Sequence, residues 1–290
     1  MSRAGIWLAA TAWLATSMIL PAFAAPPQRV VSTFLCTDEY VFRLLPRARI
    51  AALSYEAIDR KPVVSTIADA AAGLPVIRPS TETVLKLRPD LVVMYAGTNP
   101  RLHLGLQKLG VPVLDVPWAN SLADVRRVTL MLGDKLGTPA RAAALLAEMD
   151  RQIAAAKAAA PRPPVRTILY EPQGYASVQG VTDEILQLAG LVNAAPAAKL
   201  TRSGQLPVEA VVASAPELLI LGGEERSGSA RAYAILHHPA LKALDGRTQT
   251  EFASLTPLMC PGPWSLDATP KLIAMGRQAR ALARPQGRPY

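Results

Sequence analysis

The stretch that decides the fold of this 290-residue chain runs from Thr138 to Ala160 and reads TPARAAALLAEMDRQIAAAKAAA. Thr138 is a residue type that caps helices, and Pro139 stands where a first-turn proline is tolerated, because its missing N–H would have no helical partner. One face is apolar at helical spacing, through Ala142, Leu145, Leu146, Met149, Ile153 and Ala156. Pro161 ends the pattern, so about 22 residues at about 1.5 Å each predict a rod of roughly 33 Å. A rod of that length can join two lobes at a nearly constant distance.

The first 24 residues have the pattern of a secretory signal. Arg3 is followed by an apolar run that extends to Leu20, and Ala22-Phe23-Ala24 is a small-x-small cleavage site. An N-terminal membrane anchor is the alternative, but the run is short and ends at Pro21 without a basic flank. We therefore expect residues 1–24 to be cleaved and the mature protein to be soluble and exported.

The rod divides the mature chain into two lobes of ordinary domain size. We expect an N-terminal lobe at residues 25–137, the connecting helix at 138–160, a C-terminal lobe at 161–282 and a disordered tail at 283–290. In both lobes short β-branched runs alternate with helical patterns. The predicted strands lie at 29–33, 49–53, 91–94, 111–116, 165–170, 218–221 and 248–252. This alternation predicts two α/β sandwich lobes with mainly parallel sheets.

Two segments, one in each lobe, share a pattern. Glu82 opens a short helix, and seven residues later Pro89 ends it before a buried strand. Glu209 and Pro216 repeat the same spacing in the second lobe. The repetition predicts that the lobes are two versions of one unit.

The order of these motifs resembles that of the helical-backbone (class III) substrate-binding proteins of bacterial ABC importers, the cobalamin and iron–siderophore type. The resemblance is carried by RVVS at 29–32, STETVLKLRPDLVV at 80–93, LGVPV at 109–113, the connecting helix, EILQLAGLVN at 184–193 and PVEAVVASAPELLIL at 207–221. It implies a ligand cleft between two α/β lobes. It also implies a monomeric periplasmic protein, not an enzyme, that captures a ferric siderophore, a corrinoid or haem and delivers this chelate to the membrane permease.

The same resemblance gives a role to the two repeated glutamates. In such proteins one surface glutamate per lobe docks against the permease, and the matching positions here are Glu82 and Glu209. The alternative is an ordinary first-turn glutamate that is stabilised by the helix dipole.

Aromatic residues follow the predicted strands in both lobes, at Tyr55, Tyr95, Trp118, Tyr175 and Trp264. Open α/β sheets bind ligands at the carboxyl ends of their strands, so we expect these rings to line the cleft as plates for a large chelate. Core packing is the alternative for each ring. Arg60 and Arg78 are candidates for pairing with ligand carboxylates, although solvated arginines are common.

Cys36 and Cys260 are the two cysteines of the chain, and each follows a predicted strand. Export permits a disulfide between them. Thiols that contact the metal of the ligand and unpaired buried cysteines are the other possibilities.

Composition argues against other classes of protein. The net charge is +9, but the arginines are dispersed and no basic block with interleaved aromatics predicts a nucleic-acid partner. The three histidines, His103, His237 and His238, lack the spacing of a zinc site, so no resident metal or cofactor is expected, and a bare transition-metal ion is the alternative cargo. An exported enzyme is the less favoured alternative, because no motif supplies a nucleophile with its base.

Overall fold

The computed structural model describes residues 25–60, 64–198, 200, 202–223 and 231–283. The predicted signal at 1–24 and the residues 284–290 of the predicted tail lie outside this range. Within it the chain forms two α/β lobes and one long connecting helix, which confirms the predicted fold class. In the part that is described, no helix is both long and apolar enough to span a bilayer.

The N-terminal lobe is built on a parallel five-stranded sheet with the strand order β3-β2-β1-β4-β5. Its elements are β1 (Val30–Ser32), α1 (Leu35–Leu44), β2 (Ile50–Ser54), β3 (Val76–Ile77), α2 (Thr81–Lys86), β4 (Leu91–Tyr95), α3 (Pro100–Lys108), β5 (Val113–Val116) and α4 (Leu122–Lys135). The chain moves outward from β1 to β3 and then continues on the other side of β1 with β4 and β5. The order therefore reverses beside β1, which is where such sheets form a crevice.

The C-terminal lobe has a parallel four-stranded sheet with the order β11-β10-β6-β8, and a small antiparallel pair, β7 with β9. Its elements are β6 (Val165–Tyr170), β7 (Tyr175–Ala176), α6 (Val181–Leu188), β8 (Leu191–Asn193), β9 (Gly204–Gln205), α7 (Val208–Ser214), β10 (Leu218–Gly222), β11 (Gln249–Ala253) and α8 (Thr269–Ala283). The direction reverses between β6 and β10. Helix α8 includes Ala283, which was predicted to begin the tail.

The predicted rod is helix α5 (Pro139–Ala159). Near its start Ala142 belongs to the hydrophobic core of the N-terminal lobe, whereas Leu146, Met149 and Ala156 belong to the core of the C-terminal lobe. The helix is thus a structural part of both lobes. Thr138 precedes it but makes no capping hydrogen bond, contrary to expectation, because its ψ of 47° departs from the extended geometry that a capping side chain needs.

The repeated pattern of the two lobes extends to their hydrogen bonds. In the first lobe Arg29 Nη2 donates to the carbonyl oxygen of Leu87 at the end of α2 (2.7 Å), and Asp90 Oδ1 accepts from the backbone N–H of Arg29 (2.9 Å). In the second lobe Arg166 Nη2 donates to the last carbonyl of α7 (2.7 Å), and Glu217 Oε2 accepts from the backbone N–H of Arg166 (2.9 Å). Each arginine thus binds a carbonyl group at the end of a helix, where no further turn supplies an N–H partner.

The backbone conformation at the ends of α2 and α7 is also repeated. Arg88 and Ala215, which directly precede the two prolines, have φ values of 45° and 41°. Proline disfavours the right-handed helical region for the residue before it, and in both lobes this residue has left that region for a positive φ.

A disulfide forms a second connection between the lobes. Cys36, in α1, forms a disulfide with Cys260, which follows β11, with a Cα–Cα distance of 5.0 Å. Of the possibilities left open by the sequence, the disulfide is the one that the structure contains. The hydroxyl of Tyr40 donates to the carbonyl oxygen of Pro261 (3.2 Å), and its ring lies 4.7 Å from that of Trp264. Cys260 and Trp264 both belong to the core of the N-terminal lobe.

Candidate ligand-binding cleft

A cavity of about 530 Å³ opens at the carboxyl ends of the strands of the C-terminal lobe. Glu171 directly follows β6, Gly222 ends β10 and Ser254 directly follows β11, and all three residues line the cavity. The N-terminal lobe contributes Arg60 and Val64 to the wall. The cavity therefore lies between the lobes, beside the point where the strand order of the second sheet reverses.

A neighbouring cavity of about 360 Å³ extends this space toward the N-terminal lobe. The two cavities share Arg60 and Thr256, and the second is also lined by Ser65, Thr66 and Asp69. Together they form one cleft, which is the name used below for both cavities.

Two backbone hydrogen bonds hold Glu171 in its position in the lining of the cleft. Its N–H donates to the carbonyl oxygen of Tyr175 (2.8 Å), and its own carbonyl accepts from the N–H of Gly174 (3.0 Å). Gly222 lies against its side chain, since a Cβ at Gly222 would stand 3.1 Å from Glu171 Cγ. Burial raises the pKa of the Glu171 carboxyl.

Of the predicted ligand-binding residues, Tyr175 and Arg60 line the cleft. The ring of Tyr175 is 41% exposed. Arg60 is already paired, because its Nε and Nη2 both donate to Asp69 Oδ1, at 2.9 and 2.6 Å. Tyr233, which was not predicted, also lines the cleft, and its ring covers Gly223.

Tyr95 and Trp118 lie together at the ends of β4 and β5, with ring centres 4.1 Å apart. Trp118 is 46% exposed, whereas Tyr95 is 1% exposed and has a pKa that burial raises to about 12. The ring of Phe34, which was not predicted, lies 5.7 Å from Tyr95. Tyr95 thus supports the exposed indole and does not itself present a surface to a ligand, contrary to expectation.

Tyr55 and Arg78 face each other at the carboxyl ends of β2 and β3. The guanidinium of Arg78 lies 4.0 Å from the centre of the Tyr55 ring, a cation–π contact. Neither residue is among those that line the two cavities.

Trp264 lies in the core, which corrects its expected place in the cleft. It is 4% exposed, packs edge-to-face on Tyr40, and has the guanidinium of Arg43 at 4.4 Å from its ring. The segment that carries it turns back to the N-terminal lobe after β11, so the indole packs in the core of that lobe.

The repeated glutamates both lie on the surface. Glu82 and Glu209 occupy the first turns of α2 and α7 and are exposed. Glu82 Oε1 accepts from Lys86 Nζ (2.7 Å), whose side chain is also exposed.

The cleft residues that sequence reasoning missed had a signal in the sequence. Glu171 is the first residue after a correctly predicted strand, at the edge where ligands bind to such sheets.

Among the residues that the structure covers, no group of three or more His, Cys, Asp and Glu side chains is placed to hold a metal ion.

Two α/β lobes, a single connecting helix and a cleft between the lobes define a helical-backbone (class III) binding protein. A family model described as periplasmic binding protein matches residues 56–251, and the chain belongs to that family. A search of curated proteins finds no significant match.

Solved structures of the same fold include periplasmic haem-binding proteins and a vitamin B12-binding protein. The periplasmic haem-binding protein RhuT from Roseiflexus sp. RS-1 is 23% identical, with a TM-score of 0.69 over 87% of this chain and 98% of its own. A periplasmic haem-binding protein from Pseudomonas aeruginosa is 25% identical, with a TM-score of 0.62 over 87% and 93%. The vitamin B12-binding protein BtuF of Vibrio cholerae is 19% identical, with a TM-score of 0.62 over 88% and 98%.

Proposed function

We propose that this protein is the periplasmic substrate-binding component of an ABC importer, and that it captures a metal chelate and delivers it to the permease. The chelate is a ferric siderophore, a corrinoid or haem. The observation that carries the proposal is the cleft of about 530 Å³, which is built by both lobes at the edge where open α/β sheets bind ligands. Its size falls within the range of about 300–1,000 Å³ that is usual for sites of small molecules and cofactors.

The lining combines apolar and polar side chains, which supports a bulky ligand with both kinds of surface. Leu169, Leu255 and Leu258 supply aliphatic surface, and Tyr175 and Tyr233 supply aromatic surface. Trp118 adds an exposed ring at the edge of the other sheet. Structural relatives whose names state haem or vitamin B12 as the ligand support a chelate of that size. The protein carries out no chemistry on its cargo.

Calorimetric titration of the mature protein tests the class of ligand. The panel contains haemin, cobinamide, cyanocobalamin and ferric hydroxamate siderophores, with free Zn²⁺ and Mn²⁺ as the competing class. We expect at least one chelate to bind with a Kd below about 10 μM, which corresponds to about 7 kcal/mol. Binding of a free ion with no binding of any chelate would instead establish the bare-ion alternative.

The two exposed glutamates, Glu82 and Glu209, are proposed to dock on the permease, one from each lobe. Their equivalent positions in the repeated unit support this role, because a pair of like-charged sites at matching places suits a partner with two similar halves. The mature protein is proposed to act as a monomer in the periplasm, after removal of residues 1–24.

A further inference from the structure

Few charged side chains line the cleft, and their positive and negative charges do not all pair with one another. Among the described residues that line the two cavities, the charged side chains are Glu171, Arg60 and Asp69. Arg60 is bound to Asp69 through two N–H groups and also approaches the carbonyl oxygen of Ala68 (3.3 Å). The guanidinium is thus already matched by a carboxylate, and Glu171 remains as an acidic group on the opposite wall.

Glu171 has no hydrogen-bond or ion-pair partner for its carboxylate among the residues that the structure describes. Its position is nevertheless well defined, through the backbone bonds to Tyr175 and Gly174 and through contact with Gly222. Burial removes water from the Glu171 carboxylate, which disfavours its charged form and raises its pKa. A carboxylate in such a place is stabilised when a bound molecule supplies N–H donors to it.

We propose that Glu171 determines the specificity of the cleft by accepting hydrogen bonds from N–H groups of the chelate. The ligand would then be a chelate with ammonium or amide groups at its periphery, not one that presents carboxylates to this wall. A ligand carboxylate beside Glu171 would bring two like charges together in a partly dehydrated site, which is unfavourable. This inference rests on the proposed function, because it selects among the chelates named above.

The test compares wild type, Glu171→Gln, Glu171→Asp and a control, Glu251→Gln. Glu251 carries the same charge in the same lobe but does not line the cleft, and its side chain bonds to Gln249 of its own strand (3.0 Å). The probes are ferrioxamine B, which has one free ammonium group; the same chelate with that group acetylated; cobinamide, whose periphery carries carboxamides; and haemin, which carries two propionates. Unfolding curves of the four proteins establish that each variant is folded.

We expect wild type to bind an ammonium or amide probe more tightly than haemin. Glu171→Gln should weaken that binding by about 10-fold to 100-fold, the usual range for a hydrogen bond to a charged group, and should leave haemin binding unchanged or stronger. Glu171→Asp should retain part of the preference, and Glu251→Gln should resemble wild type. Loss of preference for ferrioxamine B over its acetylated form identifies an ammonium donor, whereas a loss of cobinamide affinity identifies amides.

Three results would overturn the inference. One is tightest binding of haemin by wild type, and another is a Glu171→Gln variant that binds every probe like Glu251→Gln. The third is an equal loss of affinity for all probes in Glu171→Gln, which would mean a purely structural role. If no chelate binds to any of the four proteins, the proposed function itself fails, and that result is recognisable because it does not depend on the substitution.

Discussion

The disulfide between Cys36 and Cys260 should contribute a large part of the free energy of unfolding. Replacing both cysteines, in a Cys36→Ala and Cys260→Ala double variant, opens a covalent loop that spans 224 residues of sequence. The chain-entropy relation assigns about 5 kcal/mol to a loop of that length, an upper value because unfolded chains retain some structure. With an m-value of about 3 kcal/mol/M in urea, the midpoint should fall by roughly 1–2 M.

Equilibrium urea unfolding, followed by circular dichroism and tryptophan fluorescence, measures this effect. Wild type treated with a reductant should match the untreated double variant, which controls for the small loss of packing at two buried sites. Ligand affinity should not change, because neither cysteine lines the cleft. A midpoint within about 0.2 M of the oxidised wild-type value would refute the reasoning, and would mean that the unfolded chain gains little freedom when the bond is absent.

Three further predictions concern a buried carboxyl group, an exposed indole and the two repeated glutamates. Asp38, in α1, is fully buried, and its Oδ1 accepts a hydrogen bond from the N–H of Ser54 (3.0 Å). Burial raises the pKa of Asp38 to about 8, so between about pH 4 and pH 8 the folded protein holds a proton that the unfolded chain has lost. Stability should therefore fall as pH rises through this range. Asp38→Asn should flatten this dependence in urea unfolding at pH 5 and pH 8, and equal slopes in the two proteins would contradict the assignment. Trp118→Ala should reduce ligand affinity by about 1–3 kcal/mol if the indole stacks on the chelate, whereas unchanged affinity in a titration would exclude such contact. Glu82→Ala with Glu209→Ala should leave ligand affinity intact but weaken stimulation of the transporter's ATPase, and full stimulation would rule out the docking role.

The fold was largely predictable because its decisive signals are local. The connecting helix is marked by a first-turn proline, an apolar face at helical spacing and a terminating proline, all within one short stretch. The repeated glutamate–proline spacing likewise indicates two equivalent helix ends. At each of them a carbonyl group accepts a hydrogen bond from an arginine side chain. Helix α4 was not predicted, although Ser121 caps it by accepting a hydrogen bond from the N–H of Asp124 (3.0 Å).

For the ligand-binding site, the sequence predicts only a location, at the carboxyl edges of the two sheets. Sequence places Tyr95, Trp118 and Trp264 after strands, but the choice between core and surface depends on which segment packs over each ring. Trp264 is buried because its segment crosses to the other lobe, and Tyr95 is buried beneath Trp118. Such long-range packing has no local signature. Glu171, in contrast, could have been identified from its position alone, since it directly follows β6.

Part of the hydrophobic core of the N-terminal lobe comes from the segment of the chain that follows β11. Cys260 and Trp264, which complete that core around Tyr40, come from near the end of the chain. During synthesis, the disulfide and the packing around Tyr40 can therefore be completed only after residue 264 has been added to the chain.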